Sequence, residues 1–242
     1  MIQLIRSTDR YHIENERLSA YWHFSFDHYH DPANISFGPL RVFNNDTIAP
    51  GGGFPFHSHH EMEIVTYVIA GQLEHRDTLG NHGVISPGEV QRMSAGTGLR
   101  HSEFNPSETE ATQLVQLWLL PAVPQLTPSW EQKRYPIEER AGKLLPVAVP
   151  AGSAQRPAHA VEVHQDATMY TSLLGPGQSA AHTLAPGRRA YIFVVAGELQ
   201  INGDTLRAGD QARIGNESTL HLAGPAAASG AAPADFLLLD LP

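Results

Sequence analysis

The chain contains no cysteine. That excludes a disulfide scaffold and any thiolate metal site. A metal held by these side chains would have to be held by imidazole and carboxylate, donors that suit iron, manganese, nickel, cobalt, copper or zinc without choosing among them. Positive charge is also scarce: 16 Lys and Arg against 25 Asp and Glu leave a formal net charge of -9. Nonspecific binding to nucleic acid or to an anionic membrane needs basic patches, so neither partner is expected, although a specific protein partner is not excluded. No stretch approaches the roughly 20 apolar residues of a membrane-spanning helix. The opening run Met1-Ile2-Gln3-Leu4-Ile5-Arg6 lacks the apolar segment of a secretory signal. The expectation is a soluble, cytoplasmic protein. Long helices are disfavoured too, because 21 glycines and 18 prolines punctuate the 242 residues. Many short strands are favoured instead.

What is present reads as strand and turn. Residues Leu40-Arg41-Val42-Phe43-Asn44 form a short strand that ends in the turn-prone Asn44-Asn45-Asp46. The run Glu63-Ile64-Val65-Thr66-Tyr67-Val68-Ile69 is rich in β-branched and aromatic residues and reads as a strand closed by Ala70-Gly71. Strands also fit residues 71–77, 90–93 and 113–120. Residues 121–160 change character: Pro121, Pro124, Pro128, Pro136, Pro146, Pro150 and Pro157 crowd them, and they read as a linker with a short helix at most. Strand patterns resume in the second half, with Ala190-Tyr191-Ile192-Phe193-Val194-Val195 and a last one near Phe236-Leu237-Leu238-Leu239-Asp240. The two halves look alike. Tyr67-Val68-Ile69-Ala70-Gly71-Gln72-Leu73 matches Phe193-Val194-Val195-Ala196-Gly197-Glu198-Leu199, and Val84 to Glu89 matches Thr205 to Asp210, an interval of about 120–126 positions. Two matches in the same order point to an internal duplication. The expected architecture is all-β, two barrels of one kind in one chain, with residues 1–125 as the first domain, 126–160 as linker and 161–242 as the second domain.

The chemistry-bearing pattern is Gly51-x5-His57-Ser58-His59-x3-Glu63. On a strand, residues two apart point to one face, about 6.6 Å apart. His57 and His59 can therefore converge on a single cation if the strand curves, and the preceding glycines permit that bend. A second pair, His101 and Glu103, follows Gly96-Thr97-Gly98 with the same spacing. Together the pairs offer three imidazoles and one carboxylate and leave open positions on a six-coordinate metal. Other histidines among the 14 read differently. His28-Tyr29-His30 precedes a proline turn and has no second pair, so it reads as surface or packing. His60 points away from the ligand face by alternation. His75 and His82 flank a turn and read as solvated. His164, His182 and His221 are unpaired, which makes the second half a structural copy without a metal site.

These residues carry a family resemblance. The patterns Gly-x5-His-x-His-x3-Glu and Gly-x-Gly-x-x-His resemble the two cupin motifs. The wording around His57 to Val68 and from Met93 to Glu103, with Trp22-His23-Phe24-Ser25-Phe26 and Gln116-Leu117-Trp118, resembles the pirin family, closest to the bacterial pirins described as quercetin 2,3-dioxygenases. The resemblance implies a bicupin of two double-stranded β-helix (jelly-roll) barrels. It places the metal ligands on His57, His59, His101 and Glu103, and it implies one divalent transition metal, expected to be Fe(II). Glu63, a ligand in many other cupins, falls behind the ligands instead.

The implied activity is opening of the central ring of a flavonol such as quercetin. The substrate's 3-hydroxyl and adjacent carbonyl oxygen would meet the metal, a carboxylate (Glu103 or Glu63) would take the hydroxyl proton, and O2 would be consumed with release of CO. Phe54, Phe56 and Phe104 are candidates to hold the flat substrate, with ordinary barrel packing as their alternative role. Because cupins host unrelated activities, a non-enzymatic, redox-sensitive metal protein that binds a protein partner is the competing expectation.

Overall fold

The strand Glu63–Ala70 shows how local pattern becomes architecture. Its β-branched and aromatic residues suit a pleated surface, and both of its faces are buried. Ile64 and Val68 pack into the interior of one barrel, whereas Val65 and Tyr67 pack against the second half of the chain. A strand covered on both sides reads as a continuous apolar run rather than an alternation.

The computed structural model describes residues 1–154, 156–227 and 230–242. In chain order its strands are β1 (Ile2–Ile5), β2 (Tyr11–Glu14), β3 (Leu18–Trp22), β4 (Leu40–Ile48), β5 (Gly53–His59), β6 (Glu63–Ala70), β7 (Leu73–Asp77), β8 (His82–Ile85), β9 (Glu89–Ser94), β10 (Leu99–Phe104), β11 (Thr112–Leu119) and β12 (Ser129–Arg134). The second half adds β13 (Leu145–Pro150), β14 (Val161–Val163), β15 (Thr168–Leu174), β16 (Ser179–Thr183), β17 (Arg189–Ala196), β18 (Glu198–Ile201), β19 (Asp204–Arg207), β20 (Gln211–Gly215), β21 (Thr219–Ala223) and β22 (Ala234–Leu241). One helical turn, α1 (Ile137–Arg140), lies between the halves.

Two sheets build each barrel. The first barrel pairs a seven-stranded sheet, β12-β9-β6-β11-β4-β3-β2, with a four-stranded one, β5-β10-β7-β8; the second pairs β1-β20-β17-β22-β15-β13-β14 with β16-β21-β18-β19. The order β9-β6-β11-β4 recurs as β20-β17-β22-β15, and β5-β10-β7-β8 recurs as β16-β21-β18-β19. This is the duplication that the sequence suggested. The same turn recurs as well: Gly71 and Gly197 both have positive φ (72° and 75°), and a Cβ at either would lie 2.6 or 2.2 Å from a backbone oxygen.

The two large sheets share one apolar core. Phe43, Val65, Tyr67, Val115 and Leu117 meet Tyr191, Phe193, Leu237 and Leu239 there. Each such side chain removed from water contributes about 1.5–3 kcal/mol.

Two expectations are corrected. The stretch taken as a linker supplies strands to both barrels: β12 pairs with β9 in the first, and β13 pairs with β14 and β15 in the second. Proline is tolerated there because Pro146 and Pro150 sit near the margin of their sheet and Pro136 precedes α1, where no helical N–H is lost. The turn expected at Asn44-Asn45-Asp46 is instead the middle of β4, paired on both sides with β3 and β11. Ladder bonds on both sides outweigh the local turn preference of these residues.

Candidate metal centre

Strands β5 and β10 run antiparallel, with His57 directly opposite His101 and His59 opposite Leu99. Residues opposite one another in an antiparallel pair put their side chains on the same face. The three imidazoles therefore gather inside the first barrel, with ring centroids 4.5 to 4.9 Å apart. One ring nitrogen of each lies within 4.8 Å of the other two. Close approach of the strands depends on Gly53, where a Cβ would sit 2.3 Å from the Glu103 carbonyl oxygen. A bulge lies between the His57–His101 and Phe54–Glu103 pairings, three residues on β5 spanning two on β10. Pro55, which falls in the bulge, is acceptable because β5 is an edge strand.

Two of the rings are held neutral by their surroundings. Burial, followed by the neighbouring imidazoles His101, His57 and His60, pushes His59 down to about 3; burial, then His57 and His75, pushes His101 down to about 3. His57 Nδ1 lies 2.8 Å from the Pro55 carbonyl oxygen. A carbonyl only accepts, so a proton sits on Nδ1, and Nε2 is the atom this ring would offer to a metal. Nε2 of His59 and Nε2 of His101 are buried with no hydrogen-bond partner. Buried nitrogens without partners carry a free-energy cost, and a cation shared by the three rings would remove it. The donor set thus fits a transition metal.

Glu103 is buried on the same face, where both carboxylate oxygens accept from Gln116 Nε2 at 3.0 Å. Gln116 is fixed in turn by Trp118 Nε1, which donates to its Oε1 at 3.0 Å. Burial raises the proton affinity of Glu103, and Gln116, His75 and His57 offset part of that rise. Glu103 groups with His101 and His75 within 4.8 Å, so His101 belongs to both close groups.

His57, His59 and Glu103 line a cavity of about 450 Å³, walled by Trp22, Phe26, Phe54 and Trp118, a size ordinary for a small-molecule site. Trp118 meets His59 edge-on at 4.8 Å, and Phe26 bridges Trp22 and Trp118 in T-shaped contacts at 5.1 and 5.3 Å. Asn44 and Asp46, two apart on β4, add buried oxygens without partners. Burial and then the Glu103 charge push Asp46 up to about 8. A larger and more open depression of about 690 Å³ on the second barrel holds one histidine, His221, and no group of potential ligands among the described residues.

The remaining candidates fall elsewhere. Glu63 is not brought to the cluster. Its Oε2 accepts from Ser94 Oγ at 2.9 Å and from the His164 backbone N–H at 3.0 Å, at the seam between the barrels. Phe54 lines the cavity, but Phe56 is 46% exposed and Phe104 is not part of the wall. The bulge explains the first, since it shifts the strand phase so that Phe54 shares a face with His57 and His59; Phe56, next to His57, points the other way by plain alternation. His28, His30, His60 and His82 are exposed. His75, expected to be solvated, is fully buried, stacked on Trp130 and 3.3 Å from His101. The covering Trp130 comes from β12, in the segment taken as a linker. Gln116, Trp118 and Asp46, which line the same cavity, were not singled out; the alternations Gln116-x-Trp118 on β11 and Asn44-x-Asp46 on β4, with Gln116 opposite Asn44, were their available signal.

Duplicated jelly-roll barrels, one of them lined by a histidine cluster, define a bicupin. Residues 5–119 match the family model described as Pirin, and residues 151–241 match the one described as Quercetinase C-terminal cupin domain. The chain belongs to the pirin family. It is 38% identical over 242 residues to the quercetin 2,3-dioxygenase of Escherichia coli (strain K12), covering 100% of this chain and 99% of that one. It is 41% identical over 203 residues to the Pirin-like protein of Caulobacter vibrioides, covering 84% and 86% of the two chains. The crystal structure of the bacterial pirin YhhW from Escherichia coli in complex with nickel(II) matches with a TM-score of 0.90 at 38% identity, over 100% of this chain and 99% of that one. No helix among the described residues is long and apolar enough to cross a membrane.

Proposed function

We propose that the protein is a metal-dependent dioxygenase that opens the central ring of flavonols such as quercetin. In the balanced reaction, one flavonol and one O2 give one depside and one CO. The observation that carries this reading is the set of three converging imidazoles, two with buried and unpartnered Nε2 atoms, beside an aromatic-walled cavity that His57 and His59 line. The names of the relatives support the same reaction class. His57, His59, His101 and Glu103 would hold one divalent metal, Fe(II) in this proposal, with Mn, Co, Ni, Cu and Zn fitting the same donors. When bound, such a metal supplies Lewis acidity and a path for electrons between substrate and O2.

The chain's own groups do the remaining work. Trp22, Phe26, Phe54 and Trp118 give a flat polyphenol apolar faces to lie against. Glu103, whose burial raises its proton affinity, takes the proton of the 3-hydroxyl. Gln116 holds that carboxylate in one orientation. Glu63 is engaged at the barrel seam, so the proton acceptor in this scheme is Glu103.

The test is to strip the protein with a chelator and reload separate samples with Fe(II), Mn, Co, Ni, Cu or Zn. Quercetin absorbance, O2 uptake and CO release are then followed together. Loss of quercetin with equal O2 consumed and CO formed is expected with at least one metal. Folded, metal-loaded protein that turns over no flavonol with any of the six would overturn the proposal and leave the metal-binding regulator as the better reading.

A further inference from the structure

The first barrel carries a buried histidine that the scheme above does not use. His75 on β7 lies directly opposite Glu103 on β10, and Asp77 lies opposite His101. All four side chains therefore share the interior face with the metal cluster. His75 is 0% exposed, and its ring stacks on Trp130 with centroids 5.9 Å apart and planes 18° from parallel. Its Nδ1 is 3.3 Å from His101 Nδ1, and its Nε2 is 3.5 Å from Asp77 Oδ2, the outer limit of a hydrogen bond.

The direction of this chain can be worked out from its fixed end. Asp77 accepts from the backbone N–H groups of Leu79 and Asn81, both at 2.9 Å, and from Asn81 Nδ2 at 2.8 Å. Its carboxylate is thus anchored and acts as an acceptor. The contact with Asp77 requires His75 to carry its proton on Nε2. A neutral His75 then has only a lone pair on Nδ1. The short contact with His101 is a hydrogen bond only if His101 carries its own proton on Nδ1. That assignment leaves the lone pair of His101 on Nε2, the buried atom without a partner that faces the cluster.

We propose that His75, backed by Asp77 and held by Trp130, is a positioning residue that fixes the tautomer and ring orientation of His101 for metal binding. The inference rests on the reading of His101 as a metal ligand, but not on any particular substrate. Outer partners of this kind typically change metal affinity by about 10–100-fold when removed.

The test compares wild type with His75→Leu and His75→Asn. Leucine removes the acceptor, whereas asparagine places a carbonyl oxygen where Nδ1 stands. Metal affinity is measured by competition of apo-protein with a chromophoric chelator, using Zn(II) and Ni(II). His75→Leu should bind about 10–100-fold more weakly, and His75→Asn should recover most of that loss. Histidine ¹⁵N NMR of wild-type apo-protein reads the tautomers directly and does not depend on the folding of any variant. It should show His101 protonated at Nδ1 and His75 at Nε2. Leucine and wild-type proteins of equal affinity, or a His101 ring protonated at Nε2, would overturn the inference. A wild-type protein that binds neither metal would overturn the metal reading itself, a result distinct from equal binding by all three proteins.

Discussion

The substitution Asp46→Asn tests the electrostatics of the cavity with almost no change of shape. Asp46 is 6% exposed and has one oxygen with no partner. Burial, then the neighbouring Glu103, raises its pKa from 3.8 to about 8. A folded-state value above the unfolded one contributes stability that is fully present below about 3.8 and is lost as pH rises through about 8. Both pH 5 and pH 7 lie inside that window. Over those two units the wild-type chain loses up to about 2.7 kcal/mol that the amide variant keeps, since one unit is worth about 1.4 kcal/mol. Because Asp46 and Glu103 share one site, we expect about 1–3 kcal/mol in practice. The assay is urea unfolding of chelator-treated wild type and Asp46→Asn at pH 5 and pH 7. The stability of the variant relative to wild type should be higher at pH 7 by that amount. Loading Zn(II) should shrink the difference, because a nearby cation favours the ionised carboxylate. An identical difference at both pH values would refute the reasoning, since it would mean that Asp46 is already ionised at pH 5.

Two further outcomes follow from the same geometry. The double substitution His57→Ala with His101→Ala should abolish metal binding by elemental analysis yet leave a folded protein by circular dichroism, while His182→Ala or His221→Ala should leave the metal content unchanged. Arg140 grips Asp235 with two bonds of 2.6 and 2.9 Å, with side chains 9% and 17% exposed; Arg140→Met should cost about 3–5 kcal/mol in urea unfolding by stranding the carboxylate.

The sequence was most legible where one strand carries one pattern. His57 and His59, and His101 and Glu103, each lie two apart on a single strand, and period-two alternation puts each pair on one face without knowledge of the fold. Alternation does not survive an interruption. Glu63 has the same parity as His57 and His59, but Glu61 between them turns the chain with a positive φ of 47°, and Glu63 begins a strand of a different sheet. Phe54 reaches the histidine face only because the bulge in β5 resets the phase between it and His57, whereas Phe56, adjacent to His57, falls on the outer face by plain alternation. His75 was illegible for another reason. Its burial is decided by Trp130, 55 positions away in a proline-crowded stretch with a weak strand signal of its own. Cover supplied from a distant segment leaves no periodic trace beside the residue it buries.

The same distinction explains why the histidine-bearing barrel has a second barrel attached. The seven-stranded sheet that positions β6 and β11 has two apolar faces. Ile64 and Val68 look into the first barrel, but Val65, Tyr67, Val115 and Leu117 look outward. Alone, that outer face would be an exposed apolar patch prone to association. The duplicated barrel covers it with Tyr191, Phe193, Leu237 and Leu239. Polar bonds then fix the register of one sheet on the other: His23 Nδ1 meets Tyr191 Oη at 2.5 Å, and the His164 backbone N–H donates to Glu63. Strand β1, from the beginning of the chain, pairs with β20 of the second sheet and ties the halves again. Meanwhile the second barrel's own interior is filled by Leu199, Leu206, Leu220 and Leu222. The inward face of this copy is packed with leucine, and no group of potential metal ligands lies there among the described residues. What the second barrel visibly supplies is the covered seam, where Glu63, once a candidate for the chemistry, joins the two barrels.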